Sequence, residues 1–355
     1  MRSFEPTITK QDILKVSEIL ESGNIGFGEK VGLFETEYAT HSKKKYNISL
    51  NSASSAAFCL FAYLYDKYGK CDVYTPSLGF VSPAWAARKN GHTVHFVDVD
   101  ENLLFDFDSY CLKRKHRPDF NKSIVMPVLY GGVSNVDNLI DNIKKTKWGD
   151  IVVVDSAHCI APIIESDYTF FSFHPVKPVA MSSGGLLATD NKEANDYIRR
   201  YRNFGRQDIG DSYDIIDNGF NFYMNNLNAV LGLSQLSTCF ENVKIRKDHF
   251  EYLKNHINPS VGYFTNHDAN SSYYLATLIL NKSSSGELRK KMRKNNLCGS
   301  YHYPFLHQTK LFYAPSNLPQ TEGFRDRIIN LPIHQNLKKE NLDGIIKIVN
   351  LEREE

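Results

Sequence analysis

The stretch "FFSFHPVKPVAMSSGGLLATD", Phe170 to Asp190, holds a single lysine, Lys177, and apart from His174 no other ionisable side chain before its final aspartate. Lysines that serve solubility come with charged neighbours, whereas this one sits among Phe, Pro, Val, Ala and Ser. An ammonium in a dry setting gives up its proton readily, which leaves an amine free to attack a carbonyl. That is a requirement of Schiff-base chemistry. A lysine whose stem covers apolar surface while its head reaches water is the ordinary alternative. Against it stand the uncharged flanks and the "SSGG" that follows, which lets backbone pack closely around a bulky group.

Three other segments could share that chemistry. Asp155 closes the apolar run "IVVVD". A carboxylate leaving a buried strand must be paired; opposite a pyridinium nitrogen it would keep that nitrogen protonated and make the ring an electron sink. Asp155 could equally cap the next segment, and His158, three residues on, could be structural or could reach a ring substituent. "NSASSAA", Asn51 to Ala57, opens a helix with small residues. Such a turn lets backbone N–H groups approach an anion where the helix dipole favours negative charge, and Ser54 and Ser55 add hydroxyls; a plain N-cap is the competing reading. Ser172 lies five residues before Lys177, so a hydroxyl can meet a phosphate while the amine reaches an aldehyde. Finally "GFNFYMNNLNAVLGLSQL", Gly219 to Leu236, is a polar turn feeding an amphipathic helix, with Asn221 in the turn.

The elements that must position these residues alternate. A helix is expected at 9–22, with Thr9 as N-cap, Asp12 three residues later and Gly23 as its stop. Another follows at about 30–41. Strand, small-residue turn and helix then repeat through "YNISLNSASSAAFCLFAYLYDKYG" and "VYTPSLGFVSPAWAARKNG", and "TVHFVDVD", "SIVMPVLYGG" and "DIVVVDSAH" read as buried strands. Short apolar strands alternating with helices indicate an α/β unit on a mainly parallel sheet. In such a sheet the carboxyl ends of the strands converge on one crevice. From about 236 the texture changes: charged helical stretches at 241–257, 286–295 and 338–350 surround the strand-like "YYLATLIL" and "GSYHYPF". Residues 1–238 are therefore expected to form a large α/β domain and residues 239–355 a smaller α+β domain.

Composition narrows the function classes. The chain has 355 residues, 42% of them hydrophobic and 23% charged, with a net charge of +2. That gives no reason to expect nucleic acid or a membrane surface as partner. No run approaches the length of a membrane span, and "MRSFEPTITKQD" has neither the apolar core nor the cleavage site of a signal peptide. The six cysteines are far apart with no CxxC; they read as reduced thiols of a cytoplasmic protein, and no metal site is expected.

In this order the segments resemble the DegT-type sugar aminotransferases, pyridoxal-phosphate (PLP) enzymes of the fold type I class, over nearly the full chain. "SGNIGFGEKVGLFETEYA" resembles that family's opening, "NSASSAA" stands in its phosphate turn, "PSLGFVSPAWAARKNGHTVHFVDVD" in the segment whose aromatic covers the ring, and "VVVDSAH" in its E-D-A-A-[QH] element. "SFHPVK" is similar to S-F-H-x-x-K, the most diagnostic element, and "YHYPFLH" and "NLPIH" resemble its C-terminal motifs. The chain departs from the pattern at Ala53 and Ser54, at Val154 and at Tyr223, where Gly-Thr, Glu and Arg are common.

The resemblance implies PLP as cofactor, with Lys177 as its covalent lysine and proton shuttle. Asp155 would pair with the ring nitrogen, Phe80 stack on the ring and His158 lie near the ring oxygen. Ser54, Ser55 and Ser172 would hold the phosphate, and Asn221 would reach it from the partner subunit of a homodimer. Arg206, His302, Tyr303 and His307 would line a sugar-nucleotide pocket. The implied reaction moves an amino group from glutamate to a UDP- or dTDP-linked 4-keto-6-deoxyhexose. A C3-aminating enzyme and a non-catalytic PLP-binding sensor remain open. So does an amino-acid aminotransferase with Arg202 or Arg206 on the substrate carboxylate. A sugar dehydratase of the same family would carry histidine in place of Lys177.

Overall fold

A computed structural model of the chain describes residues 2–353, apart from 117–121, 135, 147, 163, 283 and 314–316. It opens with helix α1 (Lys10–Ser22), whose first turn is closed by a capping box: Thr9 accepts from the Asp12 N–H, and Asp12 accepts from the Thr9 N–H. Gly23 stops the helix in a left-handed conformation. After α2 (Glu29–Ser42) come β1 (Tyr46–Leu50), α3 (Ala53–Tyr68), β2 (Asp72–Pro76), α4 (Val81–Lys89), β3 (Thr93–Val97), α5 (Phe107–Lys115), β4 (Ser123–Val125), α6 (Asp137–Lys145) and β5 (Ile151–Asp155). Then follow β6 (Tyr168–Ser172), β7 (Gly185–Thr189), α7 (Lys192–Tyr201), the hairpin β8 (Arg206–Ile209) and β9 (Ser212–Ile215), and α8 (Asn226–Leu236).

Strands β1 to β7 form one sheet in the order β1-β7-β6-β5-β4-β2-β3. The β3/β2/β4/β5/β6 run is parallel, while β7 is antiparallel to both β6 and β1. The strands read as unbroken apolar runs because both faces are covered. In β5, Ile151 and Val153 pack with α3 and α7, whereas Val152 and Val154 pack against α5 and α6. In β6 and β7, Phe171, Leu186 and Ala188 face α2 and α8. Side-chain alternation thus sets the face on which Asp155 emerges, the one it shares with Val153. The strand expected over "SIVMPVLYGG" is short, since Pro127 has no N–H for the ladder and Gly131 and Gly132 adopt positive φ.

A second, antiparallel sheet of β10 (Gly262–Phe264), β11 (Ala276–Leu280) and β12 (Ile328–Leu331) carries α9 (Cys239–His256), α10 (Ser285–Lys294) and α12 (Lys339–Asn350) on its own apolar cluster, with the short α11 (Pro319–Gly323) before β12. "GSYHYPF" is irregular. Ser300 pairs with Asn330 through both backbone groups, after which the chain leaves the sheet and carries His302 and Tyr303 toward the larger one.

Candidate active site

The carboxyl ends of β1, β2, β5 and β6 open onto one cavity of about 270 Å³. Its lining includes Ser52, Ala53 and Ser54 from the start of α3, Phe80 from the start of α4, Asp155 and His158 after β5, and Ser172, His174, Lys177 and Ser183 from the β6–β7 connection. Tyr274, His302 and Tyr303 complete the wall from the segments beside the smaller sheet. Ser55 has turned away into the cap of α3, where it donates to Asn51 Oδ1 at 2.6 Å and lies 2.9 Å from the Ser52 hydroxyl.

Lys177 is 8% exposed, and burial pulls its amine down to about 7 even though Asp155 acts to raise it. Asp155 is 3% exposed; burial pushes its carboxyl up to about 6, opposed by the Ala157 N–H and by the charge of Lys177. Its Oδ1 accepts that N–H at 3.0 Å. The second oxygen takes no hydrogen bond from the described residues. His158 accepts the Gly131 N–H at Nδ1, 3.1 Å, which leaves the Nε2 proton to donate to the Tyr303 hydroxyl at 2.9 Å. Burial, with Lys177 and His302 nearby, holds this imidazole neutral. Gly132 has to be glycine: its φ is +84°, and a Cβ would come within 3.0 Å of the Tyr274 nitrogen. Phe80 is 52% exposed at the mouth, 5.6 Å from the Tyr303 ring.

On the wall of the same cavity, Ser52 caps α3 by accepting the Ser55 N–H at 3.1 Å. Backbone passes so close here that a Cβ on Gly185 would lie 2.2 Å from the Ser52 carbonyl carbon. A helix N-terminus ringed by hydroxyls suits a phosphate. A dry amine and a buried, half-satisfied carboxylate in the same cavity suit an aldehyde and a basic ring nitrogen. The donor set therefore fits PLP.

The comparisons with known proteins agree with that chemistry. The model of the DegT/DnrJ/EryC1/StrS aminotransferase family matches residues 6–350. The chain belongs to this family. It is accordingly PLP-dependent, and its mostly parallel seven-stranded sheet is the α/β fold expected from the resemblance. Spore coat polysaccharide biosynthesis protein SpsC of Bacillus subtilis is 29% identical, over 97% of this chain and 95% of its own length. The UDP-4-amino-4,6-dideoxy-N-acetyl-beta-L-altrosamine transaminase of Helicobacter pylori is 24% identical over 96% and 94%. The PLP form of a putative sugar aminotransferase, Spr1654 of Streptococcus pneumoniae, superposes with a TM-score of 0.91 at 23% identity, covering 100% of this chain and 98% of that one.

Not every residue assigned from the motifs reaches the cavity. Arg206 is exposed on the β8–β9 hairpin, bound to Asp208 at 2.7 Å, and does not line the cavity. His307 is buried behind the wall, where Ser77 (2.6 Å) and Glu322 (3.1 Å) hold both ring nitrogens. Arg202 is committed to Glu35 and the Ser49 carbonyl, so it offers a substrate carboxylate nothing. Asn221 lies beside the phosphate-facing turn, its carbonyl accepting from Asn51 at 3.2 Å, with an exposed side chain. Sequence reasoning missed Ser52, Ser183 and Tyr274. Ser52 carried a signal, since it is the first hydroxyl before a helix; Tyr274 carried none, because it lies about a hundred residues beyond Lys177 in an unremarkable strand-like run.

Proposed function

We propose that the chain transfers an amino group from glutamate to a UDP- or dTDP-linked 4-keto-6-deoxyhexose, giving a 4-amino-4,6-dideoxy sugar nucleotide, as a cytoplasmic homodimer. The observation that carries the reading is the buried Lys177 amine facing buried Asp155 in one cavity with a helix N-terminus. The name of the Helicobacter pylori relative supports a UDP-linked 4-amino sugar.

PLP, when bound, supplies an aldehyde that condenses with amines and a protonated ring that draws electrons from the attached carbon. The chain's own residues do the rest. Asp155 would keep a proton at the ring nitrogen. Lys177 Nζ, poised near neutrality, would take the proton from the amino donor's α-carbon and pass it to the cofactor, and in the second half would move a proton from the cofactor to the sugar carbon that receives the amine. Ser52, Ser54, Ser172 and the first N–H groups of α3 would hold the phosphate and Phe80 would cover the ring, with His158 beside it, its two nitrogens engaged by the Gly131 N–H and the Tyr303 hydroxyl. His302 and Tyr303 form the sugar side of the cavity, offering aromatic and imidazole surface rather than charge. Apolar walls separate a 6-deoxy sugar from its hydroxylated analogue by only about 1–3 kcal/mol, so related sugars should be accepted. Exposed Ile13, Leu14, Phe27, Phe204, Ile215 and Phe220 supply apolar surface for a second copy, whose Asn221 would complete the phosphate site. The passage from α8 to α9 at 238/239 is the proposed domain boundary.

Glutamate with UDP- or dTDP-4-keto-6-deoxyglucose should yield a 4-amino product, identified by mass and NMR. Borohydride should trap the cofactor on Lys177 in the wild type and on no residue of Lys177→Ala. Amination of a 3-keto sugar alone, or of a free keto acid alone, would overturn the substrate assignment.

A further inference from the structure

Lys177 Nζ lies 4.2 Å from the centroid of the Tyr274 ring. No carboxylate or hydroxyl among the described residues holds that nitrogen at hydrogen-bond or ion-pair distance. An ammonium over an aromatic face within about 6 Å is attracted by the ring quadrupole, and the more so when dry. Tyr274 is 1% exposed and is fixed from several sides. The Leu275 N–H next to it donates to Gly131 O at 2.9 Å. Phe4 stacks on its ring at 5.1 Å and 16°, and the His158 ring sits at 4.5 Å. The segment carrying Phe4 is itself pinned by both parts of the fold: Gln235 of α8 donates to Thr7 O at 2.9 Å, Gln335 donates to Glu5 O at 3.2 Å, and Ser3 reaches Cys298 at 3.0 Å.

We propose that the Tyr274 ring is the seat of the Lys177 amine, holding Nζ while that nitrogen is free of the cofactor and carries a proton, with Phe4 keeping the ring in place. The inference rests on Lys177 being the reactive lysine, and its reason is electrostatic. Asp155 is the carboxylate whose charge Lys177 feels, and a bound cofactor's ring nitrogen would take that carboxylate for itself. A proton carried on Nζ then needs another source of negative potential in a cavity whose remaining titratable groups, His158, His174, His302 and Tyr303, are neutral or repel it. A carboxylate in that place would bind the proton too firmly for the amine to act as a base at neutral pH. A neutral aromatic face stabilises the charge less, and so leaves it transferable. Tyr274 and Phe4 are positioning residues in this scheme, since neither touches the reacting carbon.

The test reads the protonation of Lys177 directly, in full-length protein stripped of cofactor, by pulsed acetic anhydride labelling across pH and peptide mass spectrometry. Tyr274→Phe keeps the face and should leave the midpoint within about 0.3 pH unit, whereas Tyr274→Leu should lower it by about one unit, a tenfold change in proton affinity. Phe4→Ala should move it in the same direction by less. Mono-, di- and trifluorophenylalanine at 274 weaken the face without changing its shape, so the midpoint should fall stepwise with fluorine number even if the leucine variant does not fold. A flat fluorination series overturns the proposal, as does a Tyr274→Phe shift as large as that of Tyr274→Leu, which would assign the effect to the hydroxyl. Borohydride trapping at Lys177 is scored separately, so a failure of the lysine assignment is distinguishable from a failure of the Tyr274 assignment.

Discussion

Replacing Lys177 by Met should abolish turnover and at the same time make the cofactor-free protein more stable near neutral pH. Burial carries the amine from 10.5 down to about 7, with the help of Asp155 already included. Each pH unit of that displacement is worth about 1.36 kcal/mol, so holding this amine in a dry site costs the folded chain about 5 kcal/mol below neutrality. Met has a similar stem and no charge, so the variant should gain up to about 5 kcal/mol at neutral pH. The sign follows from the folded value lying below the unfolded one: the unfolded chain holds the proton more tightly. The penalty is therefore complete below about 7, shrinks by about 1.4 kcal/mol per unit as pH rises, and is gone above 10.5. Urea unfolding of both proteins without cofactor, followed by circular dichroism at one protein concentration, measures it at about pH 7 and about pH 9. A variant less stable than wild type, or an advantage that does not shrink between those values, would refute the reasoning.

Asp155→Asn should keep the cofactor on Lys177 by mass yet lower kcat by about 10²-fold or more, since the ring nitrogen loses its counter-charge; an unchanged kcat in a glutamate-consumption assay counts against the pairing. Glu35→Gln removes the carboxylate that receives Arg202 at 2.7 Å and Arg199 at 2.8 Å, leaving a buried guanidinium unpaired. It should cost about 3–5 kcal/mol in urea unfolding, and a loss under about 1 kcal/mol would show that the network is not stabilising. Ser52→Ala deletes the cap of α3 and one wall of the phosphate end; a loss of about 1 kcal/mol and several-fold weaker PLP retention on dialysis are expected, and unchanged retention would place the phosphate elsewhere.

Much of the architecture was legible because local rules and tertiary packing agree. Thr9, Asp12 and Gly23 state the limits of α1 in hydrogen-bonding terms, and the structure uses each of them as a cap. The buried strands are apolar on both faces because helices cover both sides. Agreement failed where a side chain already has a partner, whether a few residues away or remote in sequence. Ser55 reads as a free hydroxyl, but Asn51 and Ser52 occupy it. His307 reads as a substrate imidazole until Ser77 and Glu322 are seen to hold it.

The sequence by itself determined the chemistry available: one lysine without charged neighbours, an aspartate at the end of an apolar strand, and a small-residue helix start, in an order that resembles one family. These are properties of short segments, where neighbours along the chain set solvation, capping and strand exit. Only the tertiary structure decided which groups share the cavity. The strand order brings the ends of β1, β5 and β6 to one edge, and the irregular chain beyond Ser300 delivers His302 and Tyr303 to it. It also set Tyr274 against the Lys177 amine and took Arg206 out to an exposed hairpin. No local pattern encodes such meetings, because they depend on how whole elements pack and a contact between distant residues leaves no periodicity in either segment.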